Sequence, residues 1–209
     1  MPLYKTIQPN SQTTVKIWKI TEPFTDLMQS VDLKPKSLQR VLGMKSELHQ
    51  RGFLSVRHLL KEFGYTDVEL HYDSNGKPYL KDGKYISITH SFTFSAIIIS
   101  DFEIGIDIEK QRDKIVRIAN RFIGYENQYL VGKDTDYMKK LTAIWCIKES
   151  LYKLFATPGL SFKKHTLVIP FTFNDEITTA WIDYKDKKHR FNANYFEFEG
   201  FTCAYVFPK

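Results

Sequence analysis

Carboxylates and lysines in two short segments are the side chains of this chain best suited to chemistry. Segment 104–109 reads IGIDIE, and its alternation predicts a strand on which Asp107 and Glu109 share one face while isoleucines fill the other. Segment 145–153 reads WCIKESLYK and predicts a helix with Glu149 and Lys153 on one face. Three facing carboxylates would form an oxygen-rich site for a hard cation such as Mg²⁺. A lysine one turn on could hold an anionic substrate beside it.

Simpler interpretations exist for the same residues. Asp107 and Glu109 could lie on a solvated strand face, although Gly105 and the surrounding isoleucines favour a buried strand. Lys153 could form an ordinary salt bridge with Glu149 on an exposed helix. Each segment alone is a weak indication of function, and the two together are a strong one.

The two segments together resemble the 4′-phosphopantetheinyl transferases, specifically the surfactin-synthetase-activator type. That family has a Gly-x-Asp-x-Glu strand followed, roughly forty residues later, by a Trp-x-x-Lys-Glu-Ser/Ala-x-x-x-Lys helix, and the spacing from Glu109 to Glu149 fits. The resemblance extends upstream through the sequences GKP at 76–78 and SITHS at 87–91, and through Arg51. It covers the chain from about residue 40 to about residue 161.

The resemblance implies an enzyme that transfers 4′-phosphopantetheine from coenzyme A to a serine hydroxyl of an acyl or peptidyl carrier protein. This converts the apo carrier to the holo form and releases 3′,5′-ADP. It implies dependence on Mg²⁺, with Mn²⁺ as an alternative, and assigns Asp107, Glu109 and Glu149 as metal ligands. Asp107, Glu149 and Lys153 are the expected catalytic residues. Lys153 would contact the pyrophosphate, and Glu149 is a candidate base toward the incoming serine.

Coenzyme A, the co-substrate, is expected to contact a second set of residues. The resemblance assigns the 3′-phosphate to Arg51, a further phosphate to His90 beside Thr89, and the pyrophosphate to Lys153. Segment Gly76-Lys77-Pro78 would let the backbone approach the adenine nucleotide, although its residues equally predict a plain hairpin turn. After the helix, the family usually has Gly-x-Gly-Leu, whereas segment 156–161 reads ATPGLS, with one extra residue and one glycine replaced.

The composition is that of a soluble globular protein. The chain has 209 residues, 43% of them hydrophobic and 26% charged, and a net charge of +6 that favours an acidic partner or an anionic ligand. The basic residues are dispersed, so we expect no nucleic-acid partner. The N-terminus lacks an apolar signal region and no apolar run could span a bilayer, so we expect a cytoplasmic protein without membrane contact. We also expect a monomer. Two cysteines without metal-ligand spacing fit a reducing compartment.

The order of elements predicts an α+β fold. The patterns predict one or two helices over 37–63 and further helices over 114–123, 126–131 and 136–156. They predict strands over 15–20, 68–72, 85–89, 94–100, 104–109, 166–169, 179–184, 191–198 and 202–207. We expect an N-terminal half, 1–101, with the coenzyme A contacts and a C-terminal half, 102–209, with the metal site and catalytic helix. The resemblance implies that the halves are pseudo-symmetric and pack together with the active site at their interface.

Two other functions remain open from the residues. A non-catalytic protein that binds coenzyme A or a carrier protein could share this fold, although the presence of all three carboxylates disfavours it. A Mg²⁺-dependent phosphatase or nuclease could use the same carboxylates, but it would not explain the Lys-Glu-x-x-x-Lys helix.

Overall fold

The structure is a computed structural model and describes residues 3–132 and 134–209. Its helices, in chain order, are α1 (Phe24–Gln29), α2 (Pro35–Leu42), α3 (Glu47–Glu62), α4 (Lys114–Ile118), α5 (Tyr137–Phe155) and α6 (Phe162–His165). Its strands are β1 (Leu3–Asn10), β2 (Thr13–Lys19), β3 (Leu70–Tyr72), β4 (Pro78–Leu80), β5 (Tyr85–Ser91), β6 (Phe94–Ser100), β7 (Gly105–Lys110), β8 (Thr166–Val168), β9 (Ile177–Tyr184), β10 (Lys187–Phe198) and β11 (Phe201–Pro208). The predicted α+β class is confirmed.

The chain divides into two compact units, Met1–Phe102 and Glu103–Lys209. The first unit contains an antiparallel sheet in the order β1-β2-β6-β5 and a separate hairpin of β3 and β4. Helix α3 packs on this sheet, and its buried side chains, which include Leu54, Leu59 and Leu60, join the core of the unit. The hydroxyl of Ser55 donates a hydrogen bond to Ser95 Oγ at 2.8 Å, which fixes the helix over β6.

The second unit contains an antiparallel five-stranded sheet in the order β7-β11-β10-β9-β8. Helix α5 crosses β7 and β11, and its apolar residues recur at helical spacing and are fully buried, as at Leu141, Ile144 and Leu151. The Ser150 hydroxyl donates to the carbonyl of Ala204 on β11 at 3.0 Å. The helix that carries Glu149 is therefore fixed directly above the strand pair that carries Asp107 and Glu109.

The sequence patterns missed the shortest and most exposed elements. Strand β1 is an edge strand whose residues are exposed or half-buried, so no alternation marks it. Helices α1 and α6 have six and four residues, too few to show a helical period. The segment 37–63, predicted as one or two helices, forms two, α2 and α3.

Several predicted boundaries were also wrong. Segment 114–123 forms α4 followed by a 3₁₀ turn at Ala119–Arg121, and the helix predicted over 126–131 is a 3₁₀ turn at Tyr125–Gln128.

Both cysteines are buried and free. Within residues 3–132 and 134–209, no helix combines the length and apolar character needed to cross a membrane.

Candidate active site

Strand β7 and helix α5 meet at backbone distance. A β-carbon placed on Gly105 would lie 1.9 Å from the carbonyl oxygen of Ser150 and 3.2 Å from the amide nitrogen of Leu154. Only glycine fits there, because real side chains do not approach a backbone oxygen so closely. The glycine of the Gly-x-Asp-x-Glu pattern is therefore the residue that lets the carboxylates of β7 reach the side chains of α5.

Asp107 and Lys153 join the two elements through an ion pair. The Nζ atom of Lys153 lies 2.7 Å from Oδ1 of Asp107 and donates a further hydrogen bond, at 2.9 Å, to the carbonyl of Ile106. Asp107 is only 5% exposed, so the pair is shielded from solvent on the carboxylate side. Within the described residues, Lys153 pairs with Asp107 and not with Glu149, so the interpretation as an ordinary salt bridge along the helix was wrong.

Glu149 lies half-buried on α5 among these charges. Burial, with the negative charges of Asp107 and Glu109, raises the pKa of Glu149 to about 7, although the positive charge of Lys153 acts in the opposite direction. The same two carboxylates contribute to the raised pKa of the Cys146 thiol, whose largest cause is complete burial. The structure thus brings Asp107, Glu109, Glu149 and Lys153 into one electrostatic cluster, and a carboxyl group with a pKa near neutrality is suited to proton transfer.

This cluster is not a ready-made metal site. In the part of the chain that the structure describes, no three Asp, Glu, His or Cys side chains stand close enough together to hold a metal ion. The donor chemistry nevertheless fits a hard divalent cation, because all three acidic side chains offer oxygen and their mutual repulsion favours a bound positive charge. In this structure, the ammonium group of Lys153 provides a positive charge next to Asp107. The assignment of three metal ligands stays a prediction.

A groove opens beside Glu109. It has a volume of about 150 Å³ and is lined by Glu109, Lys110, Arg112, Lys114, Ile115, Ile118, Thr142 and Trp145. Its basic residues are exposed, whereas Trp145 is partly buried against the core of the second unit. The groove therefore combines an apolar wall with basic side chains directly next to one of the clustered carboxylates.

Apart from Lys153 on α5, the residues predicted to bind coenzyme A lie in the first unit. Arg51 lies on α3 and donates from Nη2 to the carbonyl of Ile20 at 3.1 Å. A β-carbon on Gly52 would lie 3.1 Å from Nδ1 of His90, so the absence of a side chain lets the imidazole rest against α3 next to Arg51. Thr89 is buried on β5, and His90, although itself exposed, points to the opposite face of the strand, where it lies against Gly52 of α3. The structure therefore brings Arg51 and His90 close together.

Gly76 and Lys77 lie in the turn between β3 and β4, and Pro78 is the first residue of β4 and pairs with Tyr72. Gly76 has a left-handed φ of +82°, and Asp73 Oδ1 accepts hydrogen bonds from the backbone amides of Asn75 and Lys77 at 2.8 Å. The hairpin is a two-stranded sheet of its own. The structure of this hairpin fits both interpretations of residues 76–78, a contact with the adenine nucleotide and a plain turn.

One pair of charged residues next to the cluster was not predicted. Lys148 is fully buried, and its Nζ lies 2.8 Å from Oε1 of the equally buried Glu126. The only signal in the sequence was that Lys148 occupies a position on α5 at helical spacing from Leu141, Ile144 and Leu151, where an apolar residue is expected. Nothing in the sequence identified Glu126 as its partner.

The fold and the site define a two-unit α+β protein with a carboxylate–lysine cluster between one strand and one helix. Residues 103–206, which make up almost the whole second unit, match the model of the 4′-phosphopantetheinyl transferase superfamily. We therefore identify the chain as a member of this superfamily.

Similar proteins include two curated relatives. Enterobactin synthase component D of Salmonella typhimurium is 33% identical over 125 residues, which cover 56% of this chain and 53% of that protein. The 4′-phosphopantetheinyl transferase gsp of Aneurinibacillus migulanus is 28% identical over 134 residues, which cover 62% of this chain and 54% of that protein. The matches thus span about half the length of these relatives. Among solved structures, Thermotoga maritima holo-[acyl-carrier-protein] synthase matches 50% of this chain and 61% of its own, with a TM-score of 0.34 and 14% identity.

Proposed function

We propose that this protein is a phosphopantetheinyl transferase of the surfactin-synthetase-activator type. It moves 4′-phosphopantetheine from coenzyme A to a serine of an acyl or peptidyl carrier protein. The observation that carries the proposal is the convergence of Asp107, Glu109, Glu149 and Lys153 through the contact of β7 with α5. The match of residues 103–206 to the superfamily supports the same conclusion.

The reaction breaks the phosphoanhydride bond of the coenzyme A pyrophosphate and forms a phosphodiester bond to serine. The serine oxygen of the carrier bonds to the β-phosphorus of coenzyme A, the bond from that phosphorus to the 3′,5′-ADP oxygen breaks, and the serine proton is lost to a base. Glu149 is suited to this role because its raised pKa, about 7, leaves it able to take up a proton near neutral pH. Glu149 would act directly or through one water molecule.

Asp107, Glu109 and Glu149 would hold Mg²⁺, or Mn²⁺ in its place. A metal ion held there would screen the pyrophosphate and stabilise the charge that develops on its oxygens. Lys153 would contact the pyrophosphate on the same side. Its ammonium already lies 2.7 Å from Asp107 and is partly exposed, so it can turn toward an incoming anion without leaving the cluster.

The first unit would bind the nucleotide part of coenzyme A. Arg51 would bind the 3′-phosphate, and the adjacent Thr89 and His90 would contact a further phosphate. The Nε atom of Arg51 is buried and makes no hydrogen bond to any described residue, so a bound anion would satisfy a donor that is otherwise costly to bury. Gly76, Lys77 and Pro78 would line the path of the adenine nucleotide.

The carrier protein would present an acidic surface to this basic chain. The net charge of +6 and the exposed Lys110, Arg112 and Lys114 around the groove beside Glu109 support an acidic partner, because opposite charges speed encounter. The groove would admit the serine-bearing segment next to the carboxylates. We propose a monomer that acts in the cytoplasm, without nucleic-acid or membrane partners.

Intact-mass spectrometry of a carrier protein tests the proposal. An apo carrier protein incubated with coenzyme A, Mg²⁺ and this protein should gain the mass of one phosphopantetheine group, and free 3′,5′-ADP should accumulate in equal amount. An unchanged carrier together with free phosphopantetheine would indicate a hydrolase. If this protein binds coenzyme A or the carrier measurably but leaves both unchanged, it is a non-catalytic binding protein.

A further inference from the structure

The buried ion pair between Lys148 and Glu126 has no part in the chemistry proposed above. Both side chains are completely inaccessible to solvent, and their charged atoms lie 2.8 Å apart. Burying two charges is costly unless every polar atom finds a partner. Such a pair inside an otherwise apolar core needs an explanation beyond stability, because apolar residues of similar size often stabilise a core equally well.

Lys148 connects helix α5 through backbone carbonyls to two other segments, residues 122–126 and residues 162–168, the second of which contains α6 and β8. Its Nζ lies within hydrogen-bond distance of the carbonyl oxygens of Phe122 at 2.8 Å, Phe162 at 3.0 Å and Thr166 at 3.1 Å. Glu126 completes the connection, because its carboxylate accepts hydrogen bonds from the backbone amides of Gly124 at 3.0 Å and Val168 at 2.9 Å. The pair therefore fixes the backbone of both segments against the helix.

Phe122 and Phe162, whose carbonyl oxygens contact Lys148, both pack their rings against Trp145. The ring of Phe122 meets the indole edge-on with centroids 5.1 Å apart, and the ring of Phe162 is tilted against it at 5.6 Å. Lys148 follows Trp145 by three positions on α5 and binds the carbonyls of both Phe122 and Phe162. The two segments also touch each other, since a β-carbon on Gly124 would lie 2.4 Å from the carbonyl oxygen of Lys163.

Trp145 in turn lines the groove that contains Glu109. We infer that the Lys148–Glu126 pair positions Trp145, through Phe122 and Phe162, as the apolar wall against which the serine-bearing segment of the carrier protein packs. The pair is thus a positioning element for carrier recognition and has no direct part in phosphate or metal chemistry. This inference rests on the proposed function for the identity of the group that enters the groove.

The test removes both charges while keeping the size of the side chains. In the double variant Lys148→Met/Glu126→Gln, the KM for the carrier should rise about fivefold or more, while kcat and the KM for coenzyme A stay within about twofold. Lys140→Met is the matched control, because Lys140 lies on the same helix but pairs with the exposed Asp134 at 3.5 Å. Its KM for the carrier should equal that of the unchanged protein.

A spectroscopic measurement separates positioning from general destabilisation. The protein has three tryptophans, so labelling with 5-fluorotryptophan gives three fluorine NMR resonances, and Trp145→Phe assigns one of them. In the double variant, the Trp145 resonance should shift and broaden while the other two stay in place. A folded double variant with an unmoved Trp145 resonance, or with a carrier KM within about twofold of the unchanged protein, would overturn the inference.

Two further variants keep the inference testable if the double variant does not fold. Glu126→Asp preserves both charges but shortens the carboxylate arm, so it should move the Trp145 resonance in the same direction, and an unmoved resonance would contradict the inference. Trp145→Phe removes part of the wall directly and should raise the KM for the carrier, and an unchanged KM would contradict it. If the unchanged protein modifies no carrier at all, the proposed function fails, and the NMR comparison still decides whether the pair positions Trp145.

Discussion

The β-carbon position of Gly105 lies 1.9 Å from the carbonyl oxygen of Ser150, so strand β7 touches the backbone of helix α5. Gly105→Ala must push the strand and helix apart, and overpacking of this kind costs roughly 1–3 kcal/mol of the free energy of unfolding. The displacement should also separate Asp107 from Lys153 and reduce transfer activity more than the loss of stability explains. Chemical denaturation and turnover at a temperature where the variant is folded measure both effects.

Gly132→Ala is the control for this prediction. Apart from Gly132 and its two chain neighbours, no atom of the described residues lies within 4 Å of a β-carbon placed there, so the variant's free energy of unfolding should differ from that of the unchanged protein by no more than about 0.5 kcal/mol. A Gly105→Ala variant that matched this control in stability and activity would show that the close contact between β7 and α5 does not hold the site together.

The raised pKa of Glu149 predicts that stability depends on pH in the metal-free protein. Because the pKa rises from 4.5 in the unfolded chain to about 7 in the folded state, the folded protein holds this proton more tightly. Its contribution to stability is complete below about pH 4.5 and is lost as the pH rises through 7. Glu149→Gln, which cannot ionise, should therefore be more stable than the unchanged protein at pH 8 by roughly 1–2 kcal/mol, after allowance for its partial exposure.

Denaturation in the presence of a chelator at pH 5 and pH 8 checks this prediction. At pH 5 the two proteins should unfold at nearly the same denaturant concentration. If the stability difference at pH 8 were absent, or if Glu149→Gln were the less stable protein, Glu149 would be ionised at little cost and would not belong to a buried carboxylate cluster. Adding Mg²⁺ at pH 8 should stabilise the unchanged protein more than the variant, since the variant lacks one anionic ligand.

Ala156 ends helix α5 in a conformation that favours glycine. Its φ and ψ angles are 46° and 38°, and its amide donates to the carbonyl of Tyr152 at 2.8 Å. A left-handed conformation costs a residue with a β-carbon about 1–2 kcal/mol, and the greater freedom of glycine in the unfolded chain returns about half of that. Ala156→Gly should therefore stabilise the protein by roughly 0.5–1 kcal/mol.

Ala143→Gly is a control on the same helix for which we expect a stability change of the opposite sign. Ala143 lies inside α5, so replacing it should destabilise the protein by about 1 kcal/mol. Thermal unfolding of both variants compares the signs directly. A loss of stability in Ala156→Gly would mean that the end of the helix does not hold the left-handed conformation in solution. The glycine that the family usually has in this segment would then have no conformational explanation here.

Arg51 and His90 should contribute to coenzyme A binding more than to the chemical step. Both are proposed to contact phosphates remote from the attacked phosphorus, and they lie together because Gly52 allows the imidazole to rest on α3. Arg51→Ala and His90→Ala should each raise the KM for coenzyme A about tenfold, with smaller effects on kcat. His49→Ala, which removes an exposed imidazole from the same helix, should leave both constants unchanged. A lowered kcat at constant KM would instead assign the residues to catalysis.

The sequence predicted the α+β class and which of the clustered residues share a face of their own strand or helix, because both depend on local periodicity, whereas the meeting of strand and helix in one site was implied by the family resemblance. Two-residue alternation placed Asp107 and Glu109 on one face, and the helical repeat placed Glu149 and Lys153 on one face. Local patterns could not predict which charged side chains form ion pairs with each other. Lys153 reaches across to Asp107, and Lys148 reaches Glu126, twenty-two residues earlier in the chain. These choices depend on the packing of α5 against distant segments.

The reason for the glycine in the strand motif also became clear only from the packing. In the sequence, Gly105 marked the motif without an explanation, whereas the structure gives it a steric role against Ser150. The short elements escaped prediction because four to six residues cannot display a helical period. The metal ligands, the coenzyme A contacts and the pseudo-symmetric arrangement of two halves stay predictions.

The most direct test of the account compares the unchanged protein with Asp107→Asn in a transfer assay read by the intact mass of an apo carrier protein, with coenzyme A and Mg²⁺ in excess. The unchanged protein should convert the carrier to the phosphopantetheinylated form. Asp107→Asn should lose nearly all of this activity, because it loses a proposed metal ligand and the anionic partner of Lys153. Asp113→Asn, an exposed neighbour, should remain fully active. A carrier left unmodified by the unchanged protein, or modified equally fast by Asp107→Asn, would contradict the account.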